Sequence, residues 1–173
     1  MIDFEAIRNY VVRKAHQFTE RPLVPQQDPA ERPEYPFVTY TFIAPYTPQA
    51  SQPAETGQVV TDDEGKEWWE QARTEFPAMT LSLTAHAASA VAAVGAALSI
   101  RRFFEFDGRD DLYTFGLVVE EVTATADRTA LLDGLHYEHR AGFDVLLRAT
   151  SKITRQIDFI EALEINDEEH RVG

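Results

Sequence analysis

The stretch Tyr137–Thr150, YEHRAGFDVLLRAT, limits the fold more than any other part of the chain. Tyr137, His139, Ala141, Phe143, Val145, Leu147 and Ala149 occupy one phase of a two-residue period, and Glu138, Arg140, Asp144 and Arg148 the other. Side chains of a strand alternate between two faces, so this is the pattern of a long strand with one face on a core and a solvated polar face. A second alternating run follows at once, with Ile153, Ile157, Phe159, Leu163 and Ile165 on one side. Two long strands in succession, neither bearing a catalytic motif, describe a building block whose product is a surface.

Composition sets outer bounds on that reading. A chain of 173 residues is most simply one domain, 1–173, able to bury about 70% of its unfolded surface. Its net charge of −13 should repel nucleic acid and anionic membranes unless basic residues cluster. They do not cluster strongly: Arg101-Arg102 is followed at once by Glu105 and Asp107. With no cysteine, disulfides, zinc–thiolate sites and thiol nucleophiles are excluded. The opening MIDFEAIRNYVVRKAHQF lacks a hydrophobic signal core, and the apolar run Ala87–Ile100 is too short to span a bilayer. The expectation is a soluble chain, not exported by a signal peptide and without membrane contact.

Helical spacing of Ile2, Phe4, Ile7, Val11, Val12, Ala15 and Phe18 predicts an N-terminal helix over 1–20, with Asp3 at its favoured end. Pro22, Pro25, Pro29, Pro33 and Pro36 then predict a connection over 21–36 without regular structure. Phe37–Pro45 is rich in β-branched and aromatic residues and reads as a strand, and Thr47–Gly57 as a loop. Gln58–Thr61 and Lys66–Trp69 flank Asp62-Asp63-Glu64-Gly65, a turn composition that predicts a projecting hairpin arm over about 57–70. Phe76–Ala85 alternates as a strand, and alanine-rich His86–Phe106 is the predicted main helix, stopped by Asp107-Gly108. Phe115–Thr125 reads as a strand and Ala126–Leu135 as a polar connection with room for a helical turn. The two long strands complete a body over 37–165, and 166–173 is an acidic tail. The fold class is therefore α+β: a mainly antiparallel sheet with an N-terminal helix and one main helix packed on one face, plus the arm.

Candidate chemistry is sparse. His136 and His139, with Asp133 and Glu138 nearby, have a spacing that suits metal ligands on a helix, but on a strand it puts them on opposite faces. Asp107-Gly108-Arg109-Asp110-Asp111 crowds carboxylates, yet Leu112 stands where a calcium loop needs glycine. No GxSxG, P-loop or HExxH is present. No catalytic residue, metal site or cofactor is assigned.

Contact residues are better marked. Trp68-Trp69 cannot both face one core if they lie on a strand, so one is free to anchor a partner; the bland alternative is a tryptophan covering the hairpin base. Tyr46, at the end of a strand, has the same two readings. Arg140 and Arg148 share the polar face of the long strand, as a solvated face or as guanidinium forks that set subunit register.

PFVTYTFIAPYTP, FPAMTLSLTAHA and YEHRAGFDVLLRATSKITRQIDFIEAL, in that order around the main helix, resemble the neck or tail-terminator proteins of long-tailed bacteriophages. The resemblance runs from Pro36 to Leu163. Its most specific piece is Tyr137, Arg140, Gly142-Phe143-Asp144-Val145 and Arg148, followed by Ile157 and Ile160, with Tyr40, Pro45 and Tyr46 in support. It implies an α+β subunit forming a homo-oligomeric ring, typically a hexamer, at the neck of the virion after assembly in the host cytoplasm. Such a ring terminates the tail tube, joins it to the head connector and leaves a channel through which DNA passes without specific binding. Its partners would be its own copies, the tail tube protein and the head-connector or neck proteins. The proline-rich stretch before Pro36 and the Trp68-Trp69 arm depart from the pattern. On this reading the lumen carries no arginine girdle, and Arg140→Glu weakens assembly while the subunit stays folded. Two other classes fit the composition: a monomeric adaptor that uses the tryptophan arm, and a small-ligand enzyme with a pocket beneath the main helix.

Overall fold

The computed structural model describes residues 2–27, 31–48, 53–132, 134 and 136–157. Phe159, Leu163, Ile165 and the acidic tail lie outside the described residues, as do Asp133 and Leu135.

The chain opens with helix α1 (Phe4–Thr19), capped by the Asp3 carboxylate on the Ala6 amide at 2.9 Å. It ends at Glu20 in the left-handed conformation. Strands β1 (Leu23–Pro25), β2 (Phe37–Thr47), β5 (Ala78–Ala87), β6 (Leu117–Val122) and β9 (Tyr137–Ala149) form the body sheet in the order β1-β2-β5-β9-β6. The short strands β7 (Ala126–Asp127) and β8 (Ala130–Leu131) also pair with β9. All these pairs are antiparallel except β1 with β2. The remaining strands, β3 (Ala54–Thr61), β4 (Glu67–Glu75) and β10 (Ser151–Ile157), form a separate antiparallel sheet in the order β10-β4-β3.

Helix α2 (Ala90–Arg102) crosses β5 and β9, with α1 beside it. Register explains the core. Leu83 pairs with Phe143, Leu81 with Val145 and Met79 with Leu147, so all six point to the helical face. Val38 and Val119 join them from the flanking strands, and Val11, Ala93, Ala97 and Ile100 meet them from the helices. Each large side chain buried this way stabilises the fold by about 1.5–3 kcal/mol relative to exposure. The α+β class, with helices on one face of a mainly antiparallel sheet, is what the alternation predicts.

Several local expectations change. His86 belongs to β5, and the main helix starts after Ser89, whose hydroxyl accepts from the Ala92 amide. The helix does not stop at Asp107-Gly108. It passes through a π-turn (Phe103–Asp107) into helix α3 (Arg109–Thr114), so the carboxylates of 107–111 border a helix rather than a loop. Asp111 there pairs with Lys14 at 2.8 Å. The proline-rich connection contains β1, and Ala126–Leu135 holds two short strands rather than a helical turn. The arm gains a third strand: β10 leaves the body after Thr150 and pairs with β4, as Ile153 does with Arg73 and Ile157 with Trp69. That pairing is remote in sequence, which is why a local hairpin is all the turn residues can predict.

Candidate assembly surfaces

Inward alternation on β9 holds from Ala141 to Ala149 and fails at its start: Tyr137 is exposed and Glu138 is buried. The cause is the connection before β2, which folds over this end of the helix-free face. The Glu138 carboxylate, with no exposed side-chain surface, accepts from Tyr35 Oη at 2.9 Å, Arg32 Nη1 at 3.1 Å and Arg140 Nε at 2.5 Å. Burial alone would push its pKa up, but the bonds from Tyr35 and Arg140 outweigh it and hold the carboxyl below its ordinary value. Burial and the adjacent carboxylate raise the Tyr35 phenol. His86 stacks on Phe37 at 4.6 Å between ring centres and holds Thr39 Oγ1 with Nε2 at 3.0 Å. Its Nδ1 lies 3.3 Å from Glu138 but is not aligned for a hydrogen bond. Burial holds this imidazole below its ordinary pKa despite the carboxylate, so the ring is neutral near pH 7.

Farther along this face, Arg128 lies flat across Gly142. Its Nη1 donates to Ser82 Oγ and Thr84 Oγ1, each at 2.9 Å, and its Nη2 to Asp144 at 2.9 Å. A Cβ on Gly142 would sit 2.8 Å from the Arg128 side chain and 2.5 Å from the Leu83 carbonyl oxygen, so glycine makes room for the arginine. Between this face and the connection is a cavity of about 520 Å³, lined by Thr39, Thr41, Thr84, His86, Arg128 and Arg140 among others. It is on the opposite side of the sheet from α2, not beneath the main helix. The polar face of β9 is therefore a covered and internally paired surface at this end, where the alternation predicts a solvated one.

Arg148 is at the other end of β9, where the body meets the arm. It forks onto Glu120 at 2.5 and 2.9 Å and donates to the Phe76 carbonyl at 3.2 Å. Tyr46 arrives at the same junction from β2 and donates to Glu75 at 2.8 Å. That bond, followed by the Arg73 charge, lowers the Glu75 pKa, while the phenol of Tyr46 is raised in return. Tyr46 and Arg148 are thus brought together at the arm base, and Arg140 is far from both.

The two tryptophans lie on opposite faces of β4, as the two-residue period demands. Trp69 stands in a cross-strand row with Val59 and Ile157. Its ring lies across Gly57, where a Cβ would come within 2.2 Å of Trp69 Cζ2. Trp68 faces the other way beside Val60, and its indole N–H has no acceptor among the described residues. Within the arm, only Ala72 and Ser151 are buried among the described residues. Three strands without a covered hydrophobic face are not stable in isolation.

One surface was not marked by the sequence argument. The outer side of α2 exposes Val91, Val94 and Leu98, and Phe106 continues the line on the π-turn. The signal was present, since no charged residue occurs from Ala87 to Ile100, but alanine-rich runs are compatible with ordinary packing. His136 precedes β9 and His139 lies within it, and Glu138 between them is committed to the cluster with Arg140. No helix among the described residues is long and apolar enough to cross a membrane.

No curated protein matches the chain. The model of the phage neck terminator protein family matches residues 4–170, which takes in every helix and strand of the described residues. The chain belongs to the phage neck terminator protein family.

Proposed function

We propose that copies of this chain close into a ring, six-membered as the resemblance implies, that ends the tail tube and joins it to the head connector. Membership of the family makes the chain a structural protein of the phage neck and a component of the virion. The observation that carries the ring is the arm: a three-stranded sheet with almost nothing buried of its own, exposing Val59, Trp69, Ile153 and Ile157. Such a sheet needs a neighbour, and a surface that seeks a different surface on the next copy generates a ring when the rotation closes. The partners are further copies, the tail tube protein and the head-connector proteins, and DNA passes through the centre.

Among the marked residues, Trp68 and Trp69 supply arm contacts, and Tyr46 and Arg148 hold the arm to the body. Arg140 acts through the Glu138 cluster, so charge reversal there tests the fold before it tests assembly. The body and arm act as one unit over 1–173, and a single melting transition for the full chain is the expected sign. A net charge of −13 suits a conduit that does not hold phosphates.

Negative-stain electron microscopy over a range of protein concentrations, alone and with purified tail tubes, is the test. Rings with a central hole are expected. Monomeric particles under every condition would refute the ring and favour the adaptor reading. A channel lined by lysine and arginine in the assembled ring would refute the unbinding conduit.

A further inference from the structure

The outer face of α2 is at odds with its exposure. A helix that is apolar on all sides is normally buried on all sides. Here Ala93, Ala96, Ala97 and Ile100 face the sheet, while Val91 on the opposite side is 85% exposed and Leu98 50%. Phe106, two turns beyond Leu98, is 75% exposed. A Cβ on Gly95, within this stripe, would meet no atom within 4 Å, so the subunit's own packing does not require a glycine there. A gap at that position admits close approach from outside.

The arm presents the converse. Val59, Trp69 and Ile157 form a flat apolar row, extended by Ile153 two pairs along the same face. The charged groups on that face flank the row: Arg73 pairs with Glu75 at 2.6 Å, Glu55 accepts from Gln71, and Arg155, between Ile153 and Ile157, donates to Gln71 at 2.8 Å. Among the described residues each copy thus carries two exposed apolar surfaces of different shape, one a sheet and one a helix. We infer that the arm of one copy packs its Val59–Trp69–Ile157 face onto the Val91–Val94–Leu98 face of α2 in the next copy.

This inference rests on the ring reading and specifies its contact. A second copy is favoured as occupant on two grounds. First, one head-to-tail contact covers both surfaces in equal numbers, which no single partner of another kind does. Second, copies with a charge of −13 repel, so they approach best through a surface with little charge. The stretch Ala87–Ile100 has none.

The absence of native cysteine makes a direct test simple. Val59→Cys and Val94→Cys are made as separate single variants, mixed, assembled alone and on purified tail tubes, and treated with a short bismaleimide. A covalent dimer that appears only in the mixture is expected, because the contact joins different copies. In addition, Leu98→Glu is expected to raise the concentration for half-assembly by about tenfold or more, as loss of an anchoring side chain does, with the melting temperature unchanged. Oligomers that form without the mixed cross-link, or that tolerate Leu98→Glu, would overturn the arm–helix contact and leave the ring standing, with another virion protein on α2. Chains that remain monomeric under both conditions would overturn ring and contact together.

Discussion

Removing the Glu138 carboxylate should destabilise the subunit more than any change at its surface. In Glu138→Ala, Arg140 keeps its position with only 23% of its side chain exposed, and Tyr35 and His86 lose their anionic neighbour. Breaking a buried pair by deleting one partner costs about 3–5 kcal/mol. Arg32, 62% exposed, regains water on its own, so the lower end, about 3 kcal/mol, is expected here. The unfolding entropy of a 173-residue chain is about 0.36 kcal/mol/K, which turns that loss into a melting temperature lower by about 8 °C. Arg140→Glu should do at least as much harm, because it sets a second carboxylate against one that has no solvent. Arg32→Ala should change little. Thermal melts followed by circular dichroism at pH 7 measure all three. If Glu138→Ala melts within about 3 °C of the parent, the carboxylate is not compensated as described and the argument fails. The same logic means that a lost ring in Arg140→Glu reports on the fold, contrary to the expectation that this variant leaves the subunit intact.

Acid should weaken the fold in two stages. The folded state keeps His86 neutral, so below its ordinary pKa of 6.5 the unfolded chain binds more protons and stability falls with pH. Glu138 and Asp144 are held below their ordinary 4.5 and 3.8, so their contribution is present above those values and lost as pH falls through the lower folded ones. His86→Gln should flatten the upper stage in melts taken from about pH 7 to 5.5, and an unchanged slope would count against a neutral buried ring. Gly142→Ala should cost about 1–3 kcal/mol by overpacking against the Leu83 carbonyl and Arg128, read as a lower melting temperature; an unshifted melt would contradict the close approach. Gly57→Ala should drive the Trp69 ring off the arm, seen as a red shift in tryptophan emission with little change in melting temperature. Unchanged emission would show that the ring does not lie there.

The parts of the fold legible from sequence are those set by local period. Ala141 to Ala149 alternate as read, and Met79, Leu81 and Leu83 point inward as their spacing requires. The start of the same strand was not legible, because Glu138 is buried by Tyr35 and Arg32 from a segment about a hundred residues earlier in the chain. The third arm strand was missed for the same reason: Ile157 meets Trp69 only through pairing that no local pattern records. Alanine propensity is smooth and carries the predicted main helix back to His86, whereas Ser89 marks the actual start with a hydroxyl cap. Of the contact residues, the tryptophan pair could be assigned to two faces from adjacency alone. Glu138 is a same-face neighbour of Arg140 by the two-residue period, so that contact was legible although its burial was not, whereas the Arg148 partner Glu120 lies on a separate strand that no local pattern marks.

The junction between the two sheets also sets a load path. The body's central strands β5 and β9 continue almost without interruption into the arm strands β4 and β10, through Phe76–Pro77 and through Thr150. The crossing is stitched by the Ala149 amide on the Pro77 carbonyl at 3.0 Å and by Arg148 on the Phe76 carbonyl. A pull on the arm is therefore borne by two covalent strands at once. It enters the middle of the body sheet as shear of β5 against β2 and of β9 against β6, the outer neighbours of the two loaded strands. Shear loads many hydrogen bonds together, whereas peeling an edge strand opens them one by one. The arm is therefore a lever rooted in the middle of the body sheet, suited to a joint that must hold under load.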